Sequence, residues 1–436
     1  MVIKMVYESV LYNDLHTNGI IGPHSKMLGP VADGGKIVFL TPPGCWGPMI
    51  TPNIRGGHEV NVPVLVEKAE IGNSIAIFLE DIKIKSRATS SGVGEPVENT
   101  YMGDPFVFKI CPSSKEPWPD YEVVGIGDNA VRCKDGTPAS PFKMVHGYTM
   151  LFDDSYKVGI TVDKKLSEEI AKNAKSYMSI PPNSKQVPVV TLAKADLIGA
   201  VSRIRPFMGQ LGSIPAVDIP DSHNAGDFGY ALIDANHPYR ITRDQYEHDL
   251  TDGHLDIDSV RPGSIIIAPV KVKGGGIYAG DGHAMEGDGE VAGHTTDVTT
   301  EVSVKVEVID KLNLEGPLLL PREEDLPPLA KPWRKDEWDY VMSFAKKVNI
   351  EVEPVAPLQI IGSGPTINDA AKKGFERAAK LFGMKLEEVL NRVTITGAVE
   401  IGRLPGIVQV SMQVPIRILE KLNIADIVIK HYNLSY

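Results

Sequence analysis

Acidic residues and histidines are crowded into the glycine-rich stretch GDGHAMEGDGEVAGHTTD, residues 280–297, which we call the acidic loop. Between Lys273 and Lys305 the sequence has no lysine or arginine to neutralise these acids. Acids this close together repel one another unless they are solvated, protonated or bound to a cation. The ionisable side chains of the acidic loop are Asp281, His283, Glu286, Asp288, Glu290, His294 and Asp297.

A bound metal ion explains the missing basic partners, because the cation itself supplies the positive charge. Glycines at 280, 282, 287, 289 and 293 allow the backbone to fold tightly enough for near neighbours to converge. Solvated turn acids are the alternative. Mixed imidazole and carboxylate ligands favour zinc or a similar transition ion, with calcium as the second choice. An EF-hand is a poor match, since strands and not helices flank this loop.

A second polar cluster, HDLTDGHLDIDSV at 248–260, precedes the acidic loop. It reaches the same rim only if the connecting chain folds back, and a turn rich in Asp is the alternative. DSHNAGDFG at 221–229 is a third candidate, with His223 and Asp227. In GGHEV at 56–60 we expect His58 and Glu59 to be ordinary turn and strand residues.

Other catalytic signatures are weak. The sequence has no GxSxG elbow, GxGxxG fingerprint or P-loop. TSSGVG at 89–94 is interpreted as a flexible loop, and Cys45 has no assignable base partner, which favours a structural role.

Strands must position these groups, because short apolar runs separated by turn residues dominate the first two-thirds of the chain. In EVSVKVEVI (301–309) the valines alternate with polar residues, as in a half-buried strand. SIIIAPVKV (264–272) is uniformly apolar and predicts a strand covered on both sides. The acidic loop therefore lies between two strands, at the rim of a sheet.

Helices are predicted over 167–177, with Ser167 as cap, and over 335–348, 366–383 and 385–393. The resulting division is an N-terminal β domain (1–165), a β domain carrying the site loops (166–313), a proline-rich linker or strap (314–333) and a C-terminal α+β unit (334–436).

Composition limits the possible partners. The 436 residues favour two or three structural units, and a net charge of −11 argues against binding to nucleic acid. No apolar run reaches the length of a membrane span, and the N-terminus lacks the features of a signal peptide. Three cysteines without a CxxC motif fit a reducing compartment, so we expect a cytoplasmic protein.

The sequence resembles the acetamidase/formamidase family, whose GD-x-HA-x-x-GDGEV loop is similar to GDGHAMEGDGEVAG. DGHLDIDSVRPGSIIIAPV is similar to the family's GGN-x-DI segment, and RPFMGQLGSIPA at 205–216 to a further motif. The run from AAKKGFERAAKLFG to GIVQVSMQVP is similar to its C-terminal helix pair and closing strands. Departures include Asp252 for Gly, His254 for Asn, Glu286 for a neutral residue and Arg205 for His.

The resemblance implies a mainly β fold, with a β-sandwich or jelly-roll and barrel-like body and a smaller C-terminal α+β unit. It also implies a homodimer or higher homo-oligomer, a divalent metal, and hydrolysis of a short-chain primary amide to carboxylate and ammonia. A non-catalytic metal-binding or ligand-binding β scaffold and an amidase for a larger amide are the alternatives.

Within that mechanism we assign Asp256, Asp281 and His283 as metal ligands, with His254 as a possible fourth. Glu286 is the expected general acid/base, and Glu290 is expected to be a ligand or to orient His283.

Overall fold

The computed structural model describes residues 9–44, 54–100, 109–140, 142–187 and 193–435. Cys45 lies outside the described residues, as does most of the apolar run 106–110. The strands, in chain order, are β1 (Val10–Asn13), β2 (Ile20–Ile21), β3 (Leu28–Val31), β4 (Lys36–Thr41), β5 (Val64–Val66), β6 (Ser74–Ile84), β7 (Ala88–Pro96), β8 (Tyr121–Val123), β9 (Val131–Cys133), β10 (Phe142–Phe152), β11 (Val158–Thr161), β12 (Val201–Arg203), β13 (Phe207–Ser213), β14 (Ile219–Pro220), β15 (Ile265–Pro269), β16 (Ile277–His283), β17 (Thr300–Ile309), β18 (Leu318–Leu320), β19 (Val355–Ser363), β20 (Ala398–Arg403) and β21 (Ile407–Pro415).

The α-helices occupy the connections and the C-terminal part of the chain. They are α1 (Lys164–Lys172), α2 (Ala174–Tyr177), α3 (Gly226–Gly229), α4 (Arg243–His248), α5 (Lys335–Val348), α6 (Ile367–Phe382), α7 (Leu386–Thr396), α8 (Ile416–Lys421) and α9 (Ala425–Tyr432). The prediction of a mainly β fold is confirmed.

A nine-stranded sheet forms the centre of the molecule, in the order β1-β4-β17-β6-β15-β18-β19-β21-β20. Its strands come from the beginning, the middle and the end of the sequence. In the segment 314–333, expected to be a linker or strap, Leu318–Leu320 is a strand between β15 and β19. The proposed division into domains remains a prediction.

Both faces of the large sheet are covered, which explains the uniformly apolar run in β15. Ile266 and Ala268 belong to one hydrophobic cluster, while Ile265 and Ile267 belong to another on the opposite face. Successive strand residues point to opposite faces, so a strand covered twice must be apolar at every position. This prediction is confirmed, as is the burial of alternate valines in β17.

Two local predictions are corrected. Helix α1 begins earlier than expected, because Asp163 and not Ser167 is its cap: the Asp163 side chain accepts a hydrogen bond from the Leu166 N–H at 2.9 Å. TSSGVG is not a loop but part of strand β7, which pairs with β10. Its glycines are typical of turns, and the cross-strand partner that overrides this preference lies about fifty residues later.

Cys111 and Cys133 form a disulfide with a Cα–Cα distance of 6.3 Å. It fastens strand β9 into a small cluster that includes Tyr121, Val131 and Phe142. The cysteine count alone did not predict this bond.

No helix within the described residues has the length and hydropathy required to cross a membrane. A second sheet, with four strands in the order β13-β16-β5-β3, carries the candidate site.

Substitution of Gly362 by alanine is expected to destabilise the fold, because helix α6 lies directly on strand β19 at this point. An added Cβ would lie 2.1 Å from the Ala370 carbonyl oxygen and 2.8 Å from the Gly374 nitrogen, both backbone atoms. We expect a loss of about 1–3 kcal/mol in the free energy of unfolding, measured by urea denaturation. Gly287→Ala, whose Cβ would meet nothing within 4 Å, is the control. Equal losses in the two variants would contradict this packing.

Candidate active site

Strands β13 and β16 form the floor of the site. They pair antiparallel, with Phe207 opposite His283 and Gln210 opposite Gly280. Asp281 and His283 are among the last three residues of strand β16. They are two residues apart, a spacing at which side chains of a strand share a face. The acidic loop therefore begins at a fixed edge of this small sheet.

The second polar cluster folds back onto the same floor. Gln210 forms a β-bridge with His254, and the backbone N–H groups of Leu255 and Asp256 donate to the Gly209 carbonyl at 2.8 and 3.1 Å. This segment runs beside β13, while the acidic loop leaves the neighbouring strand β16. Two clusters that are separate in sequence thus become one site.

Carboxylates and imidazoles meet at short distances in this site. The Nε2 atom of His283 lies 3.2 Å from Asp281 Oδ1 and 2.9 Å from Asp297 Oδ1. The Nε2 atom of His254 lies 2.9 Å from Asp256 Oδ2 and 3.4 Å from Asp281 Oδ2. Asp281 is the shared member, since its two oxygens face different histidines.

His58 is a further member of the site, which contradicts the expectation that it is an ordinary turn residue. Its Nδ1 lies 3.0 Å from Gln210 Oε1 and 3.7 Å from Asp281 Oδ2, and its ring centroid is 5.0 Å from that of His254. The signal available in the sequence was only a histidine after two glycines.

Two groups of side chains can each offer three ligand atoms that lie within 4.8 Å of one another. They are His58, His254 and Asp281, and Asp256, Asp281 and His283. Nitrogen and carboxylate oxygen are the donor types that zinc and related divalent ions prefer. The second group coincides with the predicted ligand set, and His254 of the first is the predicted fourth ligand. Their roles remain predictions.

The hydrogen bonds of His254 limit its possible protonation states. Its Nδ1 lies 3.1 Å from the Ser222 carbonyl, which can only accept, so Nδ1 carries a proton. The Nε2 atom then faces Asp256 and Asp281 either with a second proton or with a lone pair. A lone pair directed at two carboxylates is unfavourable unless a cation lies between them.

Buried polar atoms without hydrogen-bond partners, and the space left by Gly209, lie beside the carboxylates of Asp256 and Asp281. Among the described residues, Asp256 Oδ1 and His283 Nδ1 are buried without a hydrogen-bond partner. A Cβ on Gly209 would lie 2.3 Å from Asp256 Oδ1 and 2.9 Å from Asp281 Oδ2. Only glycine leaves this space beside the carboxylates, and the donor set fits a divalent metal ion.

Several site residues adopt left-handed backbone conformations. The φ angles are 49° at Asp252, 47° at Asp256, 53° at Asp281 and 42° at Glu290. Non-glycine residues adopt this region uncommonly, and such conformations cluster at functional sites, where the surrounding structure enforces them. The three Asp residues are among the types that tolerate it best.

The buried charges shift one another's pKa values. Burial disfavours the charged form of His254, but the Asp256 carboxylate outweighs it and raises the pKa to about 9. Burial also opposes ionisation of Asp281, yet His58 and His283 hold its pKa well below the usual range. For His58 burial prevails and lowers the pKa. In the absence of a metal ion, the imidazoles of His254 and His283, whose pKa values are raised, thus act as counterions to the carboxylates.

Glu286 and Glu290 have the opposite character. Burial raises the pKa of Glu286 to about 10, and the nearby Glu290 carboxyl adds to the shift. Burial followed by the charge of Asp256 raises the pKa of Glu290 well above its ordinary value. Both carboxyl oxygens of Glu286 are buried without a partner among the described residues. Glu286 therefore holds a proton at neutral pH and can donate it.

Arg403 is a basic residue in the site that no sequence motif indicates. Its guanidinium contacts both oxygens of Asp227 and also Asp256 Oδ2. Its side chain is 2% exposed, and no pattern around GRLPG predicts such burial. Only the fold brings this strand end to the site.

The other expected residues lie apart from this point. Asp252 turns away and accepts hydrogen bonds from Arg377 and Ser363. Arg205 pairs with Asp258 and Asp325. Glu290 lies on the cavity wall described next, whereas Glu286 is not among the residues that line it.

A cavity of about 60 Å³ opens onto the carboxylates. Phe228 is the apolar side chain among its described lining residues, and His294 forms part of the wall. The remaining lining residues are Gly57, His58, Ser222, His254, Asp256, Asp281, Glu290, Gly293 and Asp297.

Comparisons with known proteins identify the family and the fold of the chain. The model of the acetamidase/formamidase family matches residues 46–421. A predicted acetamidase/formamidase from Thermoanaerobacter tengcongensis is similar in structure, with 16% identity, a TM-score of 0.51, and 95% of this chain and 98% of that chain covered. An acetamidase from Yersinia enterocolitica has 14% identity and a TM-score of 0.52, with 95% and 94% covered. No curated protein was found to be similar by sequence.

The protonated state of Glu286 predicts a pH-dependent stability for metal-free protein. Its pKa is about 10 in the folded chain, whereas the ordinary pKa of a glutamate is 4.5, so only unfolding releases the proton between these values. The free energy of unfolding should therefore fall as pH rises through this window. Gln has no such proton, so Glu286→Gln should gain on the order of 4 kcal/mol relative to wild type between about pH 5 and about pH 8.

Urea unfolding of chelator-treated wild type and Glu286→Gln at the two pH values measures this difference. Parallel pH profiles for the two proteins would show that Glu286 is ionised in the folded state.

Proposed function

The chain belongs to the acetamidase/formamidase family, and on that premise we propose that it hydrolyses a short-chain primary amide to a carboxylate and ammonia with a bound divalent metal ion. Family membership supports amide hydrolysis as the general reaction class. The observation that carries the finer proposal is the convergence of Asp256, Asp281 and His283, whose ligand atoms lie within 4.8 Å of one another.

Amides resist water for two reasons that this site addresses. Donation from nitrogen deactivates the carbonyl, and the departing nitrogen must be protonated. A divalent metal ion, when bound, acts as a Lewis acid toward a carbonyl and increases the acidity of water. We propose Asp256, Asp281 and His283 as its ligands and His254 as a fourth, and the nitrogen and oxygen donors favour zinc over calcium.

Glu286 is the proposed source of the proton for the departing nitrogen. Its raised pKa keeps the carboxyl protonated at neutral pH, and its buried oxygens lack competing partners among the described residues. A general acid must hold its proton until the transition state, which this environment provides. Glu290 lies close enough to raise the pKa of Glu286, so the protonation of one carboxyl depends on that of the other.

The cavity supports a small substrate. At about 60 Å³ it has room for only a few water-sized groups. Gly57 and Gly293 add no side-chain volume, and Phe228 offers an apolar surface for a short acyl group. A formamide-like or acetamide-like amide has these dimensions.

Ammonia release from formamide, acetamide and larger primary amides tests the proposal, with metal-loaded and chelator-treated protein in one assay. We expect release from the small amides that disappears on chelation and returns with one divalent ion. Metal-loaded protein that releases ammonia from no amide would favour a metal-binding scaffold.

Glu286→Gln should lower kcat for the small amide by about 100-fold or more while the metal content stays unchanged, because the amide side chain cannot donate the required acidic proton. Asp288→Asn is the matched control, since Asp288 lies in the same loop but is exposed. Steady-state kinetics and metal analysis of the purified proteins give the comparison. Full turnover by metal-loaded Glu286→Gln would remove Glu286 from the mechanism.

Gly209→Ala should reduce the amount of retained metal. The new Cβ would lie 2.3 Å from Asp256 Oδ1 and 2.7 Å from His283 Cε1, which fills the space beside the proposed ligands. Gly212→Ala on the same strand is the control, because its Cβ would approach only the Gly253 backbone, at 3.0 Å. Elemental analysis after equal dialysis measures retention. Equal metal content in both variants would contradict the proposed position of the ion.

A further inference from the structure

We infer that Arg403 is a positioning residue, which holds Asp256 so that a single carboxylate oxygen, Oδ1, is presented to the metal ion. This inference rests on the proposed function, since it assumes that Asp256 is a ligand. It assigns a part in the site to the end of strand β20, far along the chain from the acidic loop.

The guanidinium is fixed from several directions. Its Nε donates to Asp227 Oδ2 at 3.0 Å, and its Nη2 donates to Asp227 Oδ1 and Oδ2 at 2.7 and 2.8 Å. Its plane lies over the ring of Phe228, with the Cζ atom 4.3 Å from the ring centroid. Bidentate pairing and stacking both require the flat, forked shape of arginine, which lysine lacks.

The remaining nitrogen, Nη1, donates to Asp256 Oδ2. Asp256 Oδ1, by contrast, is buried and has no hydrogen-bond partner among the described residues. One oxygen is therefore occupied by protein, and the other remains available for the metal ion.

Neutralisation of Asp227 alone does not explain this arrangement. The two-pronged pair between Arg403 and Asp227 already satisfies that carboxylate. The additional contact joins Arg403 to the proposed ligand Asp256. Because Asp227 and Phe228 immobilise the Arg403 side chain, this contact fixes the orientation of the Asp256 carboxylate. Groups that orient a metal ligand in this way typically change metal affinity about 10- to 100-fold when they are altered.

The backbone around Arg403 also holds the acidic loop. Arg403 forms a parallel bridge with Gly289, and the Leu404 N–H donates to the Gly289 carbonyl at 2.9 Å. Gly289 lies between the two carboxyls proposed to handle the proton. One strand end thus fixes a proposed ligand through its side chain and the acid-bearing loop through its backbone.

Arg403→Lys tests the inference, because it keeps the positive charge and loses the fork. Zinc affinity of the metal-free protein, measured by competition with a chromophoric chelator, should weaken about 10- to 100-fold. The visible spectrum of the cobalt-substituted protein should also change, since it reports ligand geometry and not activity. Unchanged affinity and spectrum in a folded Arg403→Lys would overturn the inference.

Arg377→Lys is the matched control. Arg377 is another largely buried arginine that pairs with an aspartate, Asp252, at 2.7 Å, but it does not contact Asp256. We expect a comparable loss of stability with unchanged zinc affinity. Equal loss of affinity in both variants would show a general effect of a broken buried pair, and would overturn the inference.

Asp227→Asn provides a second route if Arg403→Lys does not fold. It frees Arg403 to cover both oxygens of Asp256, so zinc affinity should again weaken, and unchanged affinity would overturn the inference. A wild-type protein that binds no divalent ion would overturn the proposed metal dependence and the inference together. Wild-type binding with unaltered variants would overturn the inference alone.

Discussion

The structure depends on one electrostatic constraint: more carboxylates are buried at one point than the neighbouring cations can neutralise. Asp281 faces three imidazoles, Asp256 faces a guanidinium, and Glu286 retains its proton. Each of these is a different solution to the same problem, since a carboxylate buried without a counterion is too costly to ionise. Neutralisation by protons and neutralisation by the proposed metal ion are alternatives within this set, so we expect metal content and protonation to be coupled.

The fold meets this constraint by using rigid elements on every side. Asp281 and His283 are held by paired strands, and Asp256 is tied through its backbone to Gly209 on the adjacent strand. The left-handed backbone at Asp256 and Asp281 aims the carboxylates into the site at a conformational cost that the sheets absorb. Phe228 closes the other side against the guanidinium. Few of these groups can move without exposing an unpaired charge.

Local patterns predicted well whatever depends on local physics. Alternation in β17, the doubly covered β15 and the helix expected over 366–383, which is α6, all follow from neighbours in sequence. The position of the site at the acidic loop was also predictable, because crowded acids without basic neighbours require neutralisation by another group. The roles of His58 and Arg403 in the site and the strand at TSSGVG could not be predicted, because each depends on contacts with residues far away in the chain. A lone histidine or arginine has the same local signature on a surface as in a site, and only tertiary contacts distinguish the two.

The pairing of Arg403 with Asp256 spans 147 residues and has a consequence for biosynthesis. While the chain emerges from the ribosome, Asp256 and the acidic loop are made well before Arg403. Until Arg403 at the end of β20 is synthesised, Asp227 lacks its counterion, and β19 has an open edge until β21 follows. The nascent chain must therefore keep these acids solvated, and the dry, ordered site can form only near the end of translation. Truncation within the last strands would leave an almost complete protein without an assembled centre.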